Sequence, residues 1–312
     1  MKILCCSVFG LGNTLDRIPA LQLLRRELPQ AEITVLQDIS GKGILDGYPG
    51  IRVVYFDTST GLIPKEYISG DYDYVISFRP SNGWLSWTKN LTSNPVIGTF
   101  IPTSSSPEVS DWRANIDFVR EITGTPYIVP PSPYFSPVVY STAPKEPACG
   151  IHFGGKATWL FKRVPLHIWR PILEELSKYG VLVIFGQSDD FDYRSFGDRA
   201  YIKMLDGLNH VKINCDQKSV VETAQAMYRM CTYFVSTDSG LMHLAAAIGL
   251  PTVGLFGPTC VIKNSPRGNF KALFSTLPCS PCQFNWQVMT TCVHRKCFNS
   301  ITPEAVIKAL NL

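Results

Sequence analysis

Asp238-Ser239-Gly240, with His243 one helical turn further on, is the part of this 312-residue sequence best equipped for chemistry. The triplet ends an apolar run, Tyr233-Phe234-Val235, and starts a helical one, Leu241–Ile248, that stops at Gly249, a natural left-handed cap. Free N–H groups and the helix dipole at such a turn favour an anion, phosphate above all. Gly240 lets a ligand approach the backbone closely. A second strand-end turn, Phe153-Gly154-Gly155-Lys156, leads to Lys162-Arg163-Val164-Pro165 and supplies cations. Ligands of open α/β sheets bind outside the carboxyl ends of the strands, so the two segments are expected to meet around one anion. Either segment alone has a plainer reading, with Asp238 as a helix cap and His243 as a core residue.

Other constellations stand apart from that pair. Gly10-Leu11-Gly12-Asn13 follows a first apolar run, Ile3–Phe9, and Asp38 ends a second strand. This begins like a dinucleotide fingerprint, but the third glycine position holds Leu15. A nicotinamide-dinucleotide oxidoreductase is therefore an alternative rather than the leading reading. Asp16 is the only carboxylate between Gly10 and Arg26, and residues three apart on a helix share a face, which sets it near Asn13. Its simpler role is to complement the helix dipole. Cys279, Cys282, Cys292 and Cys297 place four thiols within nineteen residues. That spacing suits a tetrahedral structural site for zinc or iron, with reduced thiols or a disulfide pair as alternatives. Cys5, Cys6, Cys149, Cys215, Cys231 and Cys260 mostly fall in or beside apolar runs and read as core.

The elements that must hold these residues alternate along the chain. Ile3–Phe9, Ile33–Leu36, Ile51–Phe56 and Tyr74–Phe78 read as buried strands, with Leu15, Ile18, Leu21, Leu24 and Leu28 at helical spacing up to Pro29. Continuous apolar runs alternating with helices are the signature of parallel sheets covered on both faces. Seven prolines between Thr123 and Pro147 mark an extended linker. Beyond it come a strand at Cys149–Phe153, a helix at His167–Tyr179 ended by Gly180, and strands at Val181–Phe185, Tyr233–Val235 and Thr252–Phe256. The expected organisation is two α/β domains, 1–140 and 148–312, the second with a Cys-rich segment at 279–297. Residues 84–112 are rich in aromatics and proline without periodicity and read as surface packing; His152 and His167 read as structural. Apolar residues at 45% and charged residues at 17% fit a globular protein, and a net charge of +4 without Lys/Arg runs argues against nucleic acid. No apolar stretch approaches the ~20 residues that span a bilayer, and the N-terminus lacks a signal-peptide cleavage site. The reading is a cytoplasmic chain, at most peripheral to the inner membrane, where disulfides are rare.

Taken together, these pieces resemble the ADP-heptose-type glycosyltransferases, the heptosyltransferase family (glycosyltransferase family 9). The resemblance rests on Gly10-Leu11-Gly12-Asn13 with Ile18-Pro19-Ala20-Leu21, Gly154-Gly155, Lys162-Arg163-x-Pro165, Gly186, Asp238-Ser239-Gly240-x-x-His243-Leu244-Ala245, Gly249-x-Pro251 and Gly257-Pro258-Thr259. It covers almost the whole chain. It implies a GT-B fold, two Rossmann-like doubly wound domains facing across a cleft. It also implies inverting, metal-independent transfer of a sugar, by family a heptose, from an ADP-sugar to an acceptor hydroxyl. On this resemblance the first domain binds the acceptor and the second the nucleotide sugar. The donor contacts fall to Gly12, Asn13, Gly154, Gly155, Lys162, Gly186, Asp238, Ser239, Gly240 and His243. The diphosphate lies at the helix start after Asp238, where Lys162 and the helix N-terminus stabilise the leaving ADP without a divalent metal.

This chain departs from the family in two places. Relatives carry Gly-Asp in the first turn, the Asp being the general base; here the pair is Gly12-Asn13, and an amide cannot take a proton. Asp16 is the candidate replacement, with Asp111 next. Val164 stands where relatives carry Trp. In protein-glycosylating relatives a comparable cysteine cluster holds iron. The acceptor stays open among a glycan, a lipid-linked glycan, a protein and a small molecule. A sugar-nucleotide binder without catalysis is the remaining alternative, prompted by the missing carboxylate.

Overall fold

The apolar runs become the central strands of two parallel sheets. The computed structural model describes residues 1–7, 10–57, 67, 70–78, 95–97, 109–126, 135, 146–154, 161–186, 203–215 and 217–312. The first sheet contains β1 (Lys2–Ser7), β2 (Glu32–Asp38), β3 (Ile51–Phe56), β4 (Tyr74–Ser77) and β5 (Pro95–Ile97), in the order β3-β2-β1-β4-β5. Ile3, Leu4, Cys5 and Cys6 of the central β1 are all fully buried, which is why that run does not alternate. The single helix expected after β1 is two, α1 (Leu11–Leu15) and α2 (Ile18–Glu27), divided at Asp16-Arg17. Pro19 causes no penalty in the first turn of α2, where its missing N–H has no intrahelical partner. The next described helix, α3 (Asp111–Thr123), closes with Gly124 in the left-handed conformation.

The second sheet contains β6 (Ala148–His152), β7 (Val181–Gly186), β8 (Val211–Cys215), β9 (Tyr233–Thr237), β10 (Thr252–Leu255) and β11 (Phe270–Leu273), in the order β11-β10-β9-β6-β7-β8. Its helices are α4 (Leu166–Leu176), α5 (Val220–Met230), α6 (Gly240–Ala247), α7 (Val261–Asn264), α8 (Trp286–Thr291) and α9 (Pro303–Leu310). α4 stops at Leu176, not Tyr179, because Ser177 caps it before the chain turns into β7. β5, β8, β11, α3, α5, α7, α8 and α9 had no counterpart in the sequence reading, and β5 falls in the 84–112 stretch read as surface packing. β8 has no buried residue, so its hydrophobic pattern is weak.

The strand order reverses between β1 and β4 in one sheet and between β6 and β9 in the other. Such reversals open a crevice at the carboxyl ends of the strands. The two crevices are joined by contact between α1, which follows β1, and α6, which follows β9. One core cluster runs through this contact, linking Leu15, Ile18 and Phe78 to Phe234, Leu244 and Ala247. Of the proline-rich linker, Phe135 is described; it is fully buried in the same cluster, and its N–H donates to the Ala247 carbonyl at 3.2 Å. The rest of that segment between 127 and 145, and the aromatic-rich stretch except 95–97 and 109–112, lie outside the described residues. A second cluster fills the far face of the second sheet, where Trp169 meets Phe153 edge-on at 5.2 Å. Among the described residues no helix is long and apolar enough to cross a membrane.

Glycine permits the helix crossing. A Cβ on Gly240 would lie 2.9 Å from Leu11 Cβ, and one on Gly12 would lie 3.0 Å from His243 Cδ2. Gly240→Val should therefore force α1 from α6 and cost about 1–3 kcal/mol of stability. Equilibrium urea unfolding checks this; an unchanged midpoint and slope would mean that the crossing has slack.

Candidate functional site

β9 is buried throughout and delivers Asp238 to the mouth of the crevice. The carboxylate is almost wholly buried, and its Oδ2 accepts from Lys162 Nζ at 2.9 Å and from Asn264 Nδ2 at 3.0 Å. Burial opposes its ionisation, but the Lys162 ammonium and His243 outweigh that and hold its pKa below the usual carboxylate value. Ser239 caps α6: its Oγ accepts from the Met242 N–H at 3.4 Å and shares a 3.1 Å hydrogen bond with Ser236 Oγ. The resulting turn combines the open end of a helix with a lysine whose side chain keeps 19% of its surface exposed. That combination suits an anion.

On the other side of the crossing, Asp16 ends α1. Its Oδ1 accepts from His243 Nδ1 at 3.0 Å, and its backbone carbonyl accepts from Asn115 Nδ2 of α3 at 3.2 Å. Both members of the Asp16–His243 pair are buried. Burial alone lowers the pKa of His243; Asp16, with smaller help from Asp238 and Asp111, reverses this and leaves it above 6.5. A second polar tie joins the halves near the same place. Lys263, beside Asn264 in α7, forms an ion pair with Asp111 at the start of α3, and the Arg267 guanidinium sits 5.9 Å from the Trp112 ring centroid.

The structure thus brings Lys162, Asp238, Ser239 and Gly240 together at one turn, with His243 linking that turn to Asp16. Gly12 touches the His243 ring, and Asn13 is half-buried in the same short helix. Gly154 follows β6 by two residues and lets Arg163 pass, since a Cβ there would meet Arg163 Nε at 2.8 Å. Gly186 ends β7, in register with Cys215, so β6 separates it from β9. Gly155 and Lys156 lie outside the described residues. His152 is buried and donates to the Phe185 carbonyl at 2.9 Å, a structural role. Sequence reasoning missed Asn264 and Asn115, which act across elements and leave no local pattern.

All ten cysteines are free. Within the clustered four, exposure falls from Cys279, which is exposed, to Cys297, which is buried. Burial first, then the neighbouring Cys282, Cys292 and Cys279 thiols, push the Cys297 pKa up to about 11, so the four share one neighbourhood. Among the described residues no three His, Cys, Asp or Glu side chains are arranged to hold a metal ion.

Comparison with known proteins gives this geometry a context. Residues 140–292 match the family described as glycosyltransferase family 9 (heptosyltransferase). A stretch of 99 residues is 35% identical to lipooligosaccharide heptosyltransferase 2 of Campylobacter jejuni serotype O:2, covering 30% of this chain and 30% of that protein. The aligned part therefore spans about a third of that curated relative. Among solved structures, E. coli heptosyltransferase WaaC with ADP aligns over 100% of this chain and 99% of its own, with TM-score 0.72 and 16% identity. The iron-containing dodecameric glycosyltransferase TibC from enterotoxigenic E. coli aligns over 99% of this chain and 77% of its own, with TM-score 0.62 and 16% identity. At these identities the likeness establishes the fold, which is GT-B.

The buried pair across the crossing has a pH signature. A native pKa above 6.5 means that His243 contributes stability fully below 6.5 and loses it as pH rises through the native value. The stability difference between the wild type and His243→Gln, followed by thermal unfolding, should be largest on the acid side and shrink with rising pH. A difference independent of pH would show that His243 does not become charged in the folded protein.

Proposed function

Because residues 140–292 belong to glycosyltransferase family 9, the heptosyltransferases, we propose that this chain is an inverting glycosyltransferase moving a sugar, by family a heptose, from an ADP-sugar to an acceptor hydroxyl. The observation that carries this reading is the turn before α6, where Ser239 and Gly240 open a helix beside the partly exposed Lys162. In this reading the half containing residues 148–312 takes the donor, with its diphosphate at that turn. An ADP donor is supported by the likeness to WaaC, solved with ADP. The half containing residues 1–140 takes the acceptor, a glycan, lipid-linked glycan, protein or small molecule. A lipid-linked acceptor would bring a cytoplasmic enzyme to the inner-membrane surface.

The acceptor oxygen attacks the anomeric carbon from the face opposite ADP. As that bond forms, the bond from the anomeric carbon to the phosphate oxygen breaks and its electron pair leaves with ADP. Lys162 and the α6 N-terminus stabilise the added negative charge, so a divalent metal is not required. Asn13 cannot accept the acceptor's proton, and Asp16 takes that role with His243 orienting its carboxylate. One observation favours a second reading, a donor-binding protein without transfer: Asp16 is only 4% exposed.

Isothermal titration with ADP and mass spectrometry of transfer products test both readings. Lys162→Ala should cost about 1.5–3 kcal/mol of ADP binding, roughly ten- to a hundredfold. Since that change also leaves Asp238 buried without its counter-charge, a thermal melt must accompany it. Asp16→Asn should slow transfer by about 10²–10⁴-fold while ADP affinity stays within about twofold. Unchanged ADP affinity in Lys162→Ala would sink the donor placement. Full transfer by Asp16→Asn would remove Asp16 as the base, and no transfer by the wild type across acceptor classes would favour the second reading.

The four clustered thiols are not arranged around an ion as described, but their donor chemistry and shared neighbourhood support the proposal that they close on a structural zinc or iron ion. Such an ion would brace the segment and take no part in transfer. Elemental analysis should find about one equivalent of metal, lost in Cys282→Ser. Metal-free protein with freely titratable thiols would refute the assignment.

A further inference from the structure

The segment carrying the four cysteines is tied to the donor turn by contacts that the family likeness does not explain. Asn264 has two amide hydrogens, and both are committed: Nδ2 donates to Asp238 Oδ2 at 3.0 Å and to Gln283 Oε1 at 3.1 Å. Gln283 therefore fixes the orientation of the amide that, together with Lys162, holds the Asp238 carboxylate. The main chain pins Gln283 in turn, because the N–H groups of Cys282 and Gln283 donate to the Pro258 carbonyl at 2.9 and 3.0 Å. Ser280 Oγ adds a 2.7 Å hydrogen bond to the Gly257 carbonyl. The far end of the segment grips the same turn: a Cβ on Gly257 would lie 2.3 Å from the buried Phe298 ring, next to Cys297.

A second contact reaches the lysine side of the site. Arg295, between Cys292 and Cys297, donates from Nη1 to the carbonyl of Arg163 at 3.1 Å, one residue past Lys162. Its backbone is left-handed (φ 43°, ψ 36°), a conformation uncommon for residues other than glycine. The segment thus reaches Asp238 through one intervening side chain and the Lys162 strand-end through one backbone hydrogen bond. Gln283 Nε2, meanwhile, is buried and meets no acceptor among the described residues.

We infer that residues 279–297 form a further wall of the donor site, in which Gln283 and Arg295 are positioning residues that set the geometry of Asp238 and Lys162. The inference rests on the donor reading above and assigns a new part of the chain to it. Its consequence is that the chemical state of the four thiols is felt at the donor: Cys282 adjoins Gln283, and Cys292 and Cys297 flank Arg295.

ADP is the probe, titrated calorimetrically into the full chain. Gln283→Met keeps the side-chain length but removes both polar ends, and should weaken ADP binding about three- to tenfold; Arg295→Met should act in the same direction. Hydrogen–deuterium exchange supplies a readout that a merely structural role would not move. Exchange in 279–297 should slow when ADP is added to the wild type, and this protection should be lost in Gln283→Met at unchanged melting temperature. Equal ADP affinity in the wild type and both variants, without ADP-dependent protection, overturns the inference and leaves the donor reading standing. Weaker binding accompanied by a lower melting temperature and no protection marks a structural role and also overturns it. ADP that fails to bind the wild type overturns the donor reading and this inference together.

Discussion

Two short helices, one from each half, cross where neither backbone carries a side chain to hold the other away. Gly12 in α1 lies against His243, and Gly240 in α6 lies against Leu11. Much of the site follows from that approach. Asp16 and His243 meet at 3.0 Å only because the helix backbones are this close. The two strand-order reversals, each the natural ligand crevice of its own sheet, are thereby joined at one place. The proposed transfer needs such an arrangement, because in that reading donor and acceptor lie on different halves and must react at a single point.

The polar groups at this meeting place are arranged by how much water they keep. Burying an isolated charge is costly, so the buried carboxylates here have cationic or hydrogen-bonding partners. Asp238 has Lys162 and Asp16 has His243, while the half-buried Asp111 has Lys263. The pairs differ in their remaining access. The Lys162 side chain keeps 19% of its surface, whereas His243 and Asp16 keep 8% and 5%. The Lys162 side is thus more open than the Asp16 side. The α6 N-terminus and His243 belong to one short helix, the element that meets Asp16.

What the sequence revealed and what it concealed divide along physical lines. The strand–turn–helix around Asp238, Ser239 and Gly240 was legible because its signals are local, an apolar run and a helix ended by Gly249, although the cap is Ser239 and not Asp238. The parallel sheets were legible because β1, β6 and β9 are buried on both faces and carry unbroken apolar runs. β8 was not, since an edge strand that buries no residue has no such pattern. The break between α1 and α2 carried a signal in Pro19 that leucine periodicity masked. Asn264 and Gln283 had no local signal, because each matters only through a partner on another element. Asp16 follows α1 directly, but its burial against α6 depends on a tertiary crossing that no one-dimensional pattern encodes.

The substitution of an amide at position 13 bears on why the crossing can be so tight. A carboxylate at half-buried position 13 would add a second negative charge one turn from Asp16, near the α6 N-terminus. Like charges this close each raise the other's pKa and repel an incoming anion. With Asn13 the face stays neutral, and the nearby carboxylate, Asp16, is matched by the His243 imidazole instead of competing for the donor's cations. The same logic applies to Asp238, whose charge is taken up by Lys162 and the Asn264 amide rather than presented to the ligand. Negative charge at this turn is satisfied from within, which leaves the α6 N-terminus and the exposed part of Lys162 as its electropositive face.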